Sequence, residues 1–243
     1  MQIEDIEGVL FDYGGTLDSN GQHWGEVIWQ LYQKAGLKIE REAFNAAYVY
    51  AERKMATSRL ILPTFNFQEV LQTKVEAQFE YLQQQEISLS RELITAIAWD
   101  GYFLASEHVK KAKEVLDMLR GQIPMVMVSN FYGNLHAVLE DFGLLDYFDA
   151  VIESAVVGVR KPDPAIYNLG VAALGLSPER CLVIGDSFAK DIVPAKACGC
   201  QTVWFKGAAW TGDEEGGTGP IEADYVIYDI AELVLMFDKL LVK

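Results

Sequence analysis

The sequence is poor in cysteine and has no cluster of basic residues. Its 243 residues include 3 cysteines, 20 lysines and arginines and 35 acidic residues, which leaves a formal net charge of -15. Three cysteines give no disulfide framework, and this charge offers no basic face to nucleic acid or to anionic membranes. No apolar run approaches the roughly 20 residues of a membrane span, and the acidic N-terminus lacks the cationic start of a signal peptide. These absences predict a cytoplasmic protein with reduced cysteines that binds neither nucleic acid nor membranes.

The chain does have enough apolar sequence for a large core, with 51% hydrophobic residues. Six short runs rich in Val and Ile lie at 8–11, 125–129, 150–154, 181–185, 201–205 and 224–228. Several are apolar throughout, which is typical of parallel strands covered on both faces. Helical patterns alternate with them at 107–120, 133–142, 163–174, 188–198 and 230–241, the first with Ser106 as a plausible N-cap. This alternation predicts an α/β fold with a doubly wound, Rossmann-like parallel sheet.

Residues 19–104 interrupt the alternation with helical periodicity alone. Four apolar stripes recur there, and they begin near Val27, Phe44, Phe67 and Leu93. Pro63 separates the second stripe from the third. The pattern predicts a helical-bundle cap domain inserted into a core domain made of residues 1–18 and 105–243. An acidic, glycine-rich stretch at 212–219 is interpreted as a solvated loop, with cation binding as a weaker alternative.

Polar side chains follow four of the predicted strands, close to where each strand ends. They are Asp12, Ser129, Asn130, Lys161, Asp186 and Asp191. Ligands of open parallel sheets bind beyond the carboxyl ends of the strands, so we expect these groups to meet at one rim. Carboxylates and carbonyls suit Mg²⁺, whereas a hydroxyl, a backbone N–H and an ammonium suit phosphate oxygens. The sequence therefore predicts a site for a divalent cation and a phosphoryl group.

Four motifs occur in order along the chain: DYGGTLD at 12–18, VSN at 128–130, KPDP at 161–164 and GDSFAKD at 185–191. With the helical insertion after the first motif, the chain resembles the haloacid dehalogenase-like hydrolase superfamily with a C1-type cap. The resemblance covers nearly the whole chain. It implies a hydrolase that uses Mg²⁺ to remove a phosphoryl group from a small phosphorylated metabolite.

The resemblance also implies a division of roles among the carboxylates. Asp12 matches the nucleophile that forms an aspartyl-phosphate intermediate. Its carboxylate, the backbone carbonyl of Gly14 and the carboxylate of Asp186 match the ligands of Mg²⁺. Asp191 matches the acid that supports Lys161 and the metal.

The remaining matched residues would hold the phosphoryl group. Ser129 and the amide of Asn130 match the phosphoryl cradle, and Thr16 lies where family members place a hydroxyl near that site. Lys161 matches the cation that screens the charges of nucleophile and phosphoryl group. Asp12, Lys161 and Ser129 are then the catalytic residues. This chemistry is reasonable in itself, because two anions must meet and a divalent cation and an ammonium offset their repulsion.

The chain departs from the superfamily's phosphatase pattern at Gly14. That pattern is Asp-x-Asp-Gly-Thr, and its second Asp protonates the leaving group and then activates water. General acid–base catalysis is typically worth ~10²–10⁴ in rate, so its loss weakens activity without abolishing it. One hypothesis is a phosphatase that favours acyl or aryl phosphates, whose leaving groups need no proton, or that uses another acid. Asp18 is interpreted as a helix cap or hinge rather than as that acid.

Two other hypotheses stay open. The chain is similar in this departure to phosphonatases and 2-haloacid dehalogenases, which cleave C–P or C–halogen bonds. Dehalogenases use no metal and typically lack the acidic pair found here as Asp186 and Asp191, whereas phosphonatases need a cap lysine. The cap lysines are Lys34, Lys38, Lys54 and Lys74, and the pattern singles out none of them. The last hypothesis is a catalytically weak phosphate-binding or interaction module, which the intact Asp12, Lys161 and Asp186 disfavour.

Overall fold

The computed structural model describes residues 5–87, 89–207 and 221–241, so the stretch at 212–219 lies outside the described residues. Within them, six parallel strands form one sheet. The strands are β1 (Gly8–Phe11), β2 (Met125–Ser129), β3 (Ala150–Glu153), β4 (Cys181–Gly185), β5 (Gln201–Phe205) and β6 (Tyr225–Ile227). Their order is β3-β2-β1-β4-β5-β6. The chain therefore winds in opposite directions from β1, and the prediction of a doubly wound α/β sheet is confirmed.

Helices cover both faces of this sheet, which explains why its central strands lack a polar face. Val9 and Phe11 of β1 belong to one core cluster, whereas Leu10 between them belongs to another. Successive side chains of a strand point to opposite faces, so both faces must be apolar. β1 pairs with β2 on one side and with β4 on the other, at Val9↔Met125 and Val9↔Leu182. The carboxyl ends of these three strands are therefore neighbours.

Four helices lie between β1 and β2. They are α1 (Trp24–Lys34), α2 (Arg41–Thr57), α3 (Phe67–Gln84) and α4 (Glu92–Leu119). Asn66 and Glu69 form a capping box at the start of α3, each side chain accepting a backbone N–H of the other. Buried aromatic rings, such as Tyr32 against Phe44 at 5.0 Å, join these helices. The expected helical insertion is present, and its assignment as a separate domain over 19–104 stays a prediction.

The expected helix start at Ser106 is wrong, because α4 continues through that position. Ser106 Oγ donates to the carbonyl oxygen of Tyr102 at 2.8 Å, as serines inside helices do. The two predicted segments join into one 28-residue helix, and Gly101 lies within it. A Cβ at Gly101 would come within 3.0 Å of a Leu71 methyl and 3.3 Å of a Leu31 methyl. Glycine thus allows α4 to pack closely on α3 and α1 rather than ending the helix.

The remaining helices flank the sheet. They are α5 (Leu135–Asp141), α6 (Ser154–Val157), α7 (Ala165–Leu174), α8 (Val193–Cys198) and α9 (Glu232–Leu241). The sequence pattern did not predict the four-residue α6. A turn of π-helix over Phe188–Ile192 precedes α8 and carries Asp191. Among the described residues, no helix has the length and hydropathy needed to span a membrane.

Candidate active site

Asp12 lies at the centre of the site, one residue beyond β1. Its backbone N–H donates to the carbonyl oxygen of Ile184 at 2.9 Å, which fixes it against β4. Lys161 Nζ lies 2.6 Å from Asp12 Oδ1, and Ser129 Oγ donates to the same oxygen at 3.2 Å. Burial raises the pKa of the Asp12 carboxyl, and the Lys161 ammonium opposes this effect. The carboxylate is thus buried beside a matched positive charge.

Lys161 is held between two carboxylates. Its Nζ lies 2.7 Å from Asp191 Oδ1 and close to Asp12, with less than a tenth of each side chain exposed. Burial lowers the pKa of Lys161, but the charges of Asp12 and Asp191 outweigh burial and raise the pKa above its usual value. The Tyr167 hydroxyl and the Ser187 backbone N–H donate to Asp191 at 2.7 and 3.0 Å. Lys161 is therefore a fixed cation directed at Asp12.

Asp186 lies on the other side of Asp12, directly after β4. Thr16 Oγ1 lies 3.2 Å from Asp12 Oδ2 and 3.4 Å from Asp186 Oδ1, and it accepts the backbone N–H of Asp186 at 3.1 Å. Gly15 has φ +97°, and a Cβ there would come within 2.5 Å of the Asp186 carboxylate. Glycine at 15 therefore permits both the positive φ and the close approach of Asp186.

The site contains a set of oxygen donors suited to Mg²⁺. Carboxylate oxygens of Asp12, Asp186 and Asp191 all lie within 4.8 Å of one another. Magnesium prefers such hard oxygen ligands and usually takes only one or two carboxylates from the protein. The Lys161 ammonium contacts two of the three clustered carboxylates, those of Asp12 and Asp191. The residues present therefore fit a divalent cation.

Gly14 and Asn130 border the cavity above these groups. A Cβ at Gly14 would have no atom within 4 Å, so the position next to Asp12 has room for a side chain. The Asn130 side chain makes two hydrogen bonds with the backbone of Lys161: it accepts the N–H at 2.9 Å and donates to the carbonyl at 3.1 Å. This bond pair ties the end of β2 to the segment that carries Lys161. The predicted contact of the Asn130 amide with a phosphoryl group stays a prediction.

Asp18 stabilises the turn that follows β1. Its Oδ1 accepts the Gly15 backbone N–H and its Oδ2 accepts Trp24 Nε1, both at 2.8 Å. Burial raises the pKa of Asp18 to about 7, against the lowering effect of these two hydrogen bonds. Both oxygens are engaged in local structure, but Asp18 is not a helix cap: the N-cap of α1 is His23, whose Nδ1 accepts the backbone N–H of Gly25. The hinge interpretation stays a prediction.

A cavity of about 600 Å³ opens above Asp12. The first helices contribute His23, Glu52 and Arg53 to its lining, and the sheet side contributes Arg160 and Lys190. All the matched residues except Thr16, which lies beneath Asp12, also line this cavity. The structure thus brings the predicted site residues together, and their individual roles stay predictions.

Sequence reasoning missed several residues of this region. Tyr167 lies in the apolar helix α7, and its hydroxyl donates to Asp191 in the site. In the sequence, the one signal for this contact was the position of Tyr167 on the buried face of the helix. Lys74 is buried in α3 and pairs with Glu52 at 2.7 Å, and the Tyr132 hydroxyl donates to the other oxygen of Glu52 at 2.9 Å. A lysine within an otherwise apolar stripe was the signal for this pair. Its partners could not be read, because Glu52 and Tyr132 lie on distant segments.

The fold and the site define an α/β enzyme with an acidic centre beyond the carboxyl ends of its parallel strands. The family model of the haloacid dehalogenase-like hydrolases matches residues 6–199. The chain therefore belongs to the haloacid dehalogenase-like hydrolase family.

Individual relatives carry several activities in their names. A glyceraldehyde 3-phosphate phosphatase of Pyrococcus furiosus is 34% identical over 94 residues, which are 39% of this chain but only 38% of that protein. A phosphoglycolate phosphatase of Escherichia coli (strain K12) is 28% identical over 214 residues, covering 83% of this chain and 82% of the relative. The L-2-haloacid dehalogenase of Xanthobacter autotrophicus, solved with chloropropionic acid covalently bound, shares the fold with a TM-score of 0.61. It is 18% identical, over 96% of this chain and 98% of the dehalogenase.

Proposed function

We propose that the chain is a Mg²⁺-dependent phosphatase that acts on a small phosphorylated metabolite. The observation that carries the proposal is the surroundings of Asp12, where an ammonium, a hydroxyl and two further carboxylates converge beneath one cavity. The names of the two relatives described above, both phosphatases of small phosphorylated compounds, support it. Cytoplasmic location remains a prediction.

In this proposal Asp12 attacks phosphorus and forms an aspartyl phosphate, while the bond from phosphorus to the leaving-group oxygen breaks and the alcohol or acid departs. Lys161 reduces the repulsion between the carboxylate and the phosphoryl oxygens, because its ammonium is fixed 2.6 Å from Asp12 Oδ1. Ser129 turns its hydroxyl from Asp12 to a phosphoryl oxygen. Water then hydrolyses the intermediate, which releases phosphate and regenerates Asp12.

The metal would be held by the carboxylates of Asp12 and Asp186 and by the backbone carbonyl of Gly14. When bound, Mg²⁺ supplies positive charge that neutralises the nucleophile and the phosphoryl group. Asp191 does not need to be a ligand, because it already binds Lys161, Tyr167 and the Ser187 N–H. Its role in the proposal is to hold Lys161 in place.

One observation also favours the second candidate, a phosphonatase or dehalogenase: position 14 lacks the acid that ester hydrolysis uses. For a phosphonatase, α3 offers Lys74 as a buried lysine near the cavity. Burial lowers the pKa of Lys74, but Glu52, Tyr132 and Tyr48 outweigh burial and raise the pKa well above its usual value. A protonated amine is not nucleophilic, so this environment disfavours a covalent imine. A dehalogenase needs no cluster of three carboxylates, and that cluster disfavours the halide reaction.

The test is an activity screen with and without Mg²⁺ over phosphate esters, acyl phosphates, phosphonoacetaldehyde and 2-haloacids. We expect Mg²⁺-dependent release of phosphate from at least one ester or acyl phosphate. Metal-free turnover of 2-haloacids would support the dehalogenase candidate instead. Phosphonoacetaldehyde turnover with borohydride trapping of Lys74 would support the phosphonatase. Binding of phosphate without any turnover would support a retired module.

Asp186→Asn tests the metal site separately from the chemistry. We expect Mg²⁺ to raise the melting temperature of the wild type, because a ligand that binds only the folded state stabilises it. The variant loses a charged ligand, so the Mg²⁺ concentration that gives half of the full effect should rise about 10-fold or more. The same rise is expected whether the titration is followed by melting temperature or by activity. The exposed Asp146→Asn is the matched control. Identical titration curves for wild type and Asp186→Asn would contradict the assignment.

A further inference from the structure

A second cavity lies behind Gly14, toward the helices. We call it the inner chamber; its volume is about 140 Å³, and its lining includes Gly14, Trp24, Tyr48, Phe67, Lys74 and Tyr132. It shares Gly14, Asn130 and Tyr132 with the cavity above Asp12, so the two spaces meet beside Gly14. A Cβ at Gly14 would touch nothing within 4 Å, so the missing side chain leaves this junction open.

The inner chamber has the size and the walls for one flat ring. A cavity of about 150 Å³ lined by apolar side chains can hold benzene. Here Trp24 and Phe67 pack edge to face at 5.1 Å, and Tyr48 and Tyr132 add further aromatic surface. Aromatic rings prefer such edge and offset contacts with one another. Val70 and Leu71 of α3, together with Phe131, complete the apolar part of the lining.

The charged groups of the inner chamber are already matched. Lys74 Nζ lies 2.7 Å from Glu52 Oε1, and the Tyr132 hydroxyl donates to Glu52 Oε2 at 2.9 Å. The two oxygens of Asp18 accept N–H groups of Gly15 and Trp24. An additional carboxylate or ammonium placed here would lack a counter-charge, and burying an unpaired charge is strongly unfavourable. The chamber therefore suits an uncharged group.

We propose that the inner chamber binds the aromatic ring of a leaving group without charged substituents, while the phenolic oxygen stays at the junction beside Gly14, so that the substrate class is an aryl phosphate. The inference rests on the proposed function and adds the leaving-group side of the same site. The missing side chain at Gly14 then has two linked consequences. It removes the acid that an alkyl ester needs, and it opens the space that an aryl group occupies.

The bond changes in this reaction need no acid in the first step. An oxygen of Asp12 forms a bond to phosphorus, while the bond from phosphorus to the aryl oxygen breaks and leaves its electron pair on that oxygen. The aryloxide is stabilised by its ring and takes a proton from solvent after release. The oxygen of a water molecule then forms a bond to phosphorus while the bond from phosphorus to Asp12 breaks, and the protons of that water pass to the phosphate product and to solvent. The products are phosphate, the phenol and free Asp12.

The experiment compares phenyl phosphate with acetyl phosphate, whose small leaving group needs neither an acid nor the inner chamber. The readout is the ratio of their kcat/KM values in the full chain with Mg²⁺, so that effects on the common phosphoryl chemistry cancel. Val70→Phe places a ring in the chamber and should lower the ratio about 10-fold or more. Val75→Phe is the matched control: Val75 is equally buried in α3 but does not line the chamber, so the ratio should stay constant.

A second variant keeps the test valid if Val70→Phe does not fold. Val70→Ala enlarges the chamber and should raise kcat/KM for 1-naphthyl phosphate relative to phenyl phosphate by about 10-fold. An unchanged ratio in the folded Val70 variants, or 2-phosphoglycolate as the best substrate, would overturn the inference while leaving the phosphatase proposal intact. Absence of turnover for all phosphates, acetyl phosphate included, would overturn both.

Discussion

At the scale of single residues, the contacts of Asp12 distinguish its chemical role from a structural one. Its carboxylate accepts from Lys161 and Ser129 and lies beside Thr16, and these groups come from separate segments. Asp12→Asn keeps the size of the side chain but removes the negative charge that attacks phosphorus. We expect kcat/KM to fall ~10⁴-fold or more, with an unchanged circular dichroism spectrum. Asp146→Asn, on the surface, is the control, and activity within a few-fold of wild type in Asp12→Asn would contradict the nucleophile assignment.

Gly14 supports a second prediction at this scale, because the space beside it can accept a side chain. Gly14→Asp supplies an acid where superfamily phosphatases carry one, and it should raise alkyl phosphate hydrolysis about 10-fold. The gain is below the full effect of acid catalysis because the surrounding turn was not formed around this side chain. Aryl phosphate cleavage should not gain, since its leaving group departs without a proton and the new side chain narrows the junction to the inner chamber.

The measurement for Gly14→Asp is kcat/KM for a series of phosphates plotted against the pKa of the leaving group. Gly14→Asn is the matched control, because it fills the same space without an acidic proton. The wild type should show a steep dependence and Gly14→Asp a shallower one. A shallow slope in the wild type, unchanged by the aspartate, would show that another group already acts as the acid.

At the scale of elements, Asn130 joins the end of β2 to the segment before α7. Asn130→Ala removes both hydrogen bonds to the Lys161 backbone, so the ammonium should lose its fixed position relative to Asp12. We expect kcat to fall about 10-fold, because small displacements of positioning groups are costly. The KM should change little. The exposed Asn168→Ala is the control, and a wild-type kcat in folded Asn130→Ala would show that this bond pair does not position Lys161.

The strands were more predictable than the helices, for a physical reason. β1, β2, β4 and β5 have the bounds expected from their continuous apolar runs, because a buried parallel strand needs apolar residues on both faces. α4 was not predicted as one helix, because Ser106 was interpreted as the start of a helix. It packs on α1, α3 and α9. These tertiary contacts are not carried by local periodicity.

Some features of the site could also be predicted from the sequence, and others could not. Asp12 and Asp186 directly follow strands and Ser129 is the last residue of one, so the edge of the sheet fixes where they meet. The side-chain bonds of Asn130 and Tyr167 depend instead on segments about 30 and 24 residues away from their partners. No local pattern encodes those distances.

At the scale of the whole molecule, an acidic chain buries several carboxylates in its candidate active site, where positive charge is needed to neutralise them. The chain carries a net charge of -15, and the described part of the site buries four carboxylates, two of which contact the Lys161 ammonium. The carboxylates are those of Asp12, Asp18, Asp186 and Asp191. Such a site gains from any added cation and loses from added negative charge. Stability should therefore depend on both Mg²⁺ and pH.

The pKa of Asp18 determines whether its contribution to the free energy of unfolding rises or falls with pH. Its folded pKa is about 7, against an ordinary value of 3.8, because burial disfavours its charge. Between these two pH values folding takes up a proton, so the free energy of unfolding should fall as pH rises. The contribution of Asp18 is at most about 1.4 kcal/mol per pH unit, and it levels off above pH 7.

The measurement is urea unfolding between pH 5 and 8 with a chelator present, so that metal binding does not contribute. Asp18→Asn removes the titration and should make the slope shallower than in the wild type, even if the lost acceptor for Trp24 Nε1 lowers stability at every pH. Asp146→Asn, on the surface, should keep the wild-type slope. Equal slopes in Asp18→Asn and the wild type would mean that the Asp18 carboxyl is already ionised at pH 5, so that its two N–H donors outweigh burial.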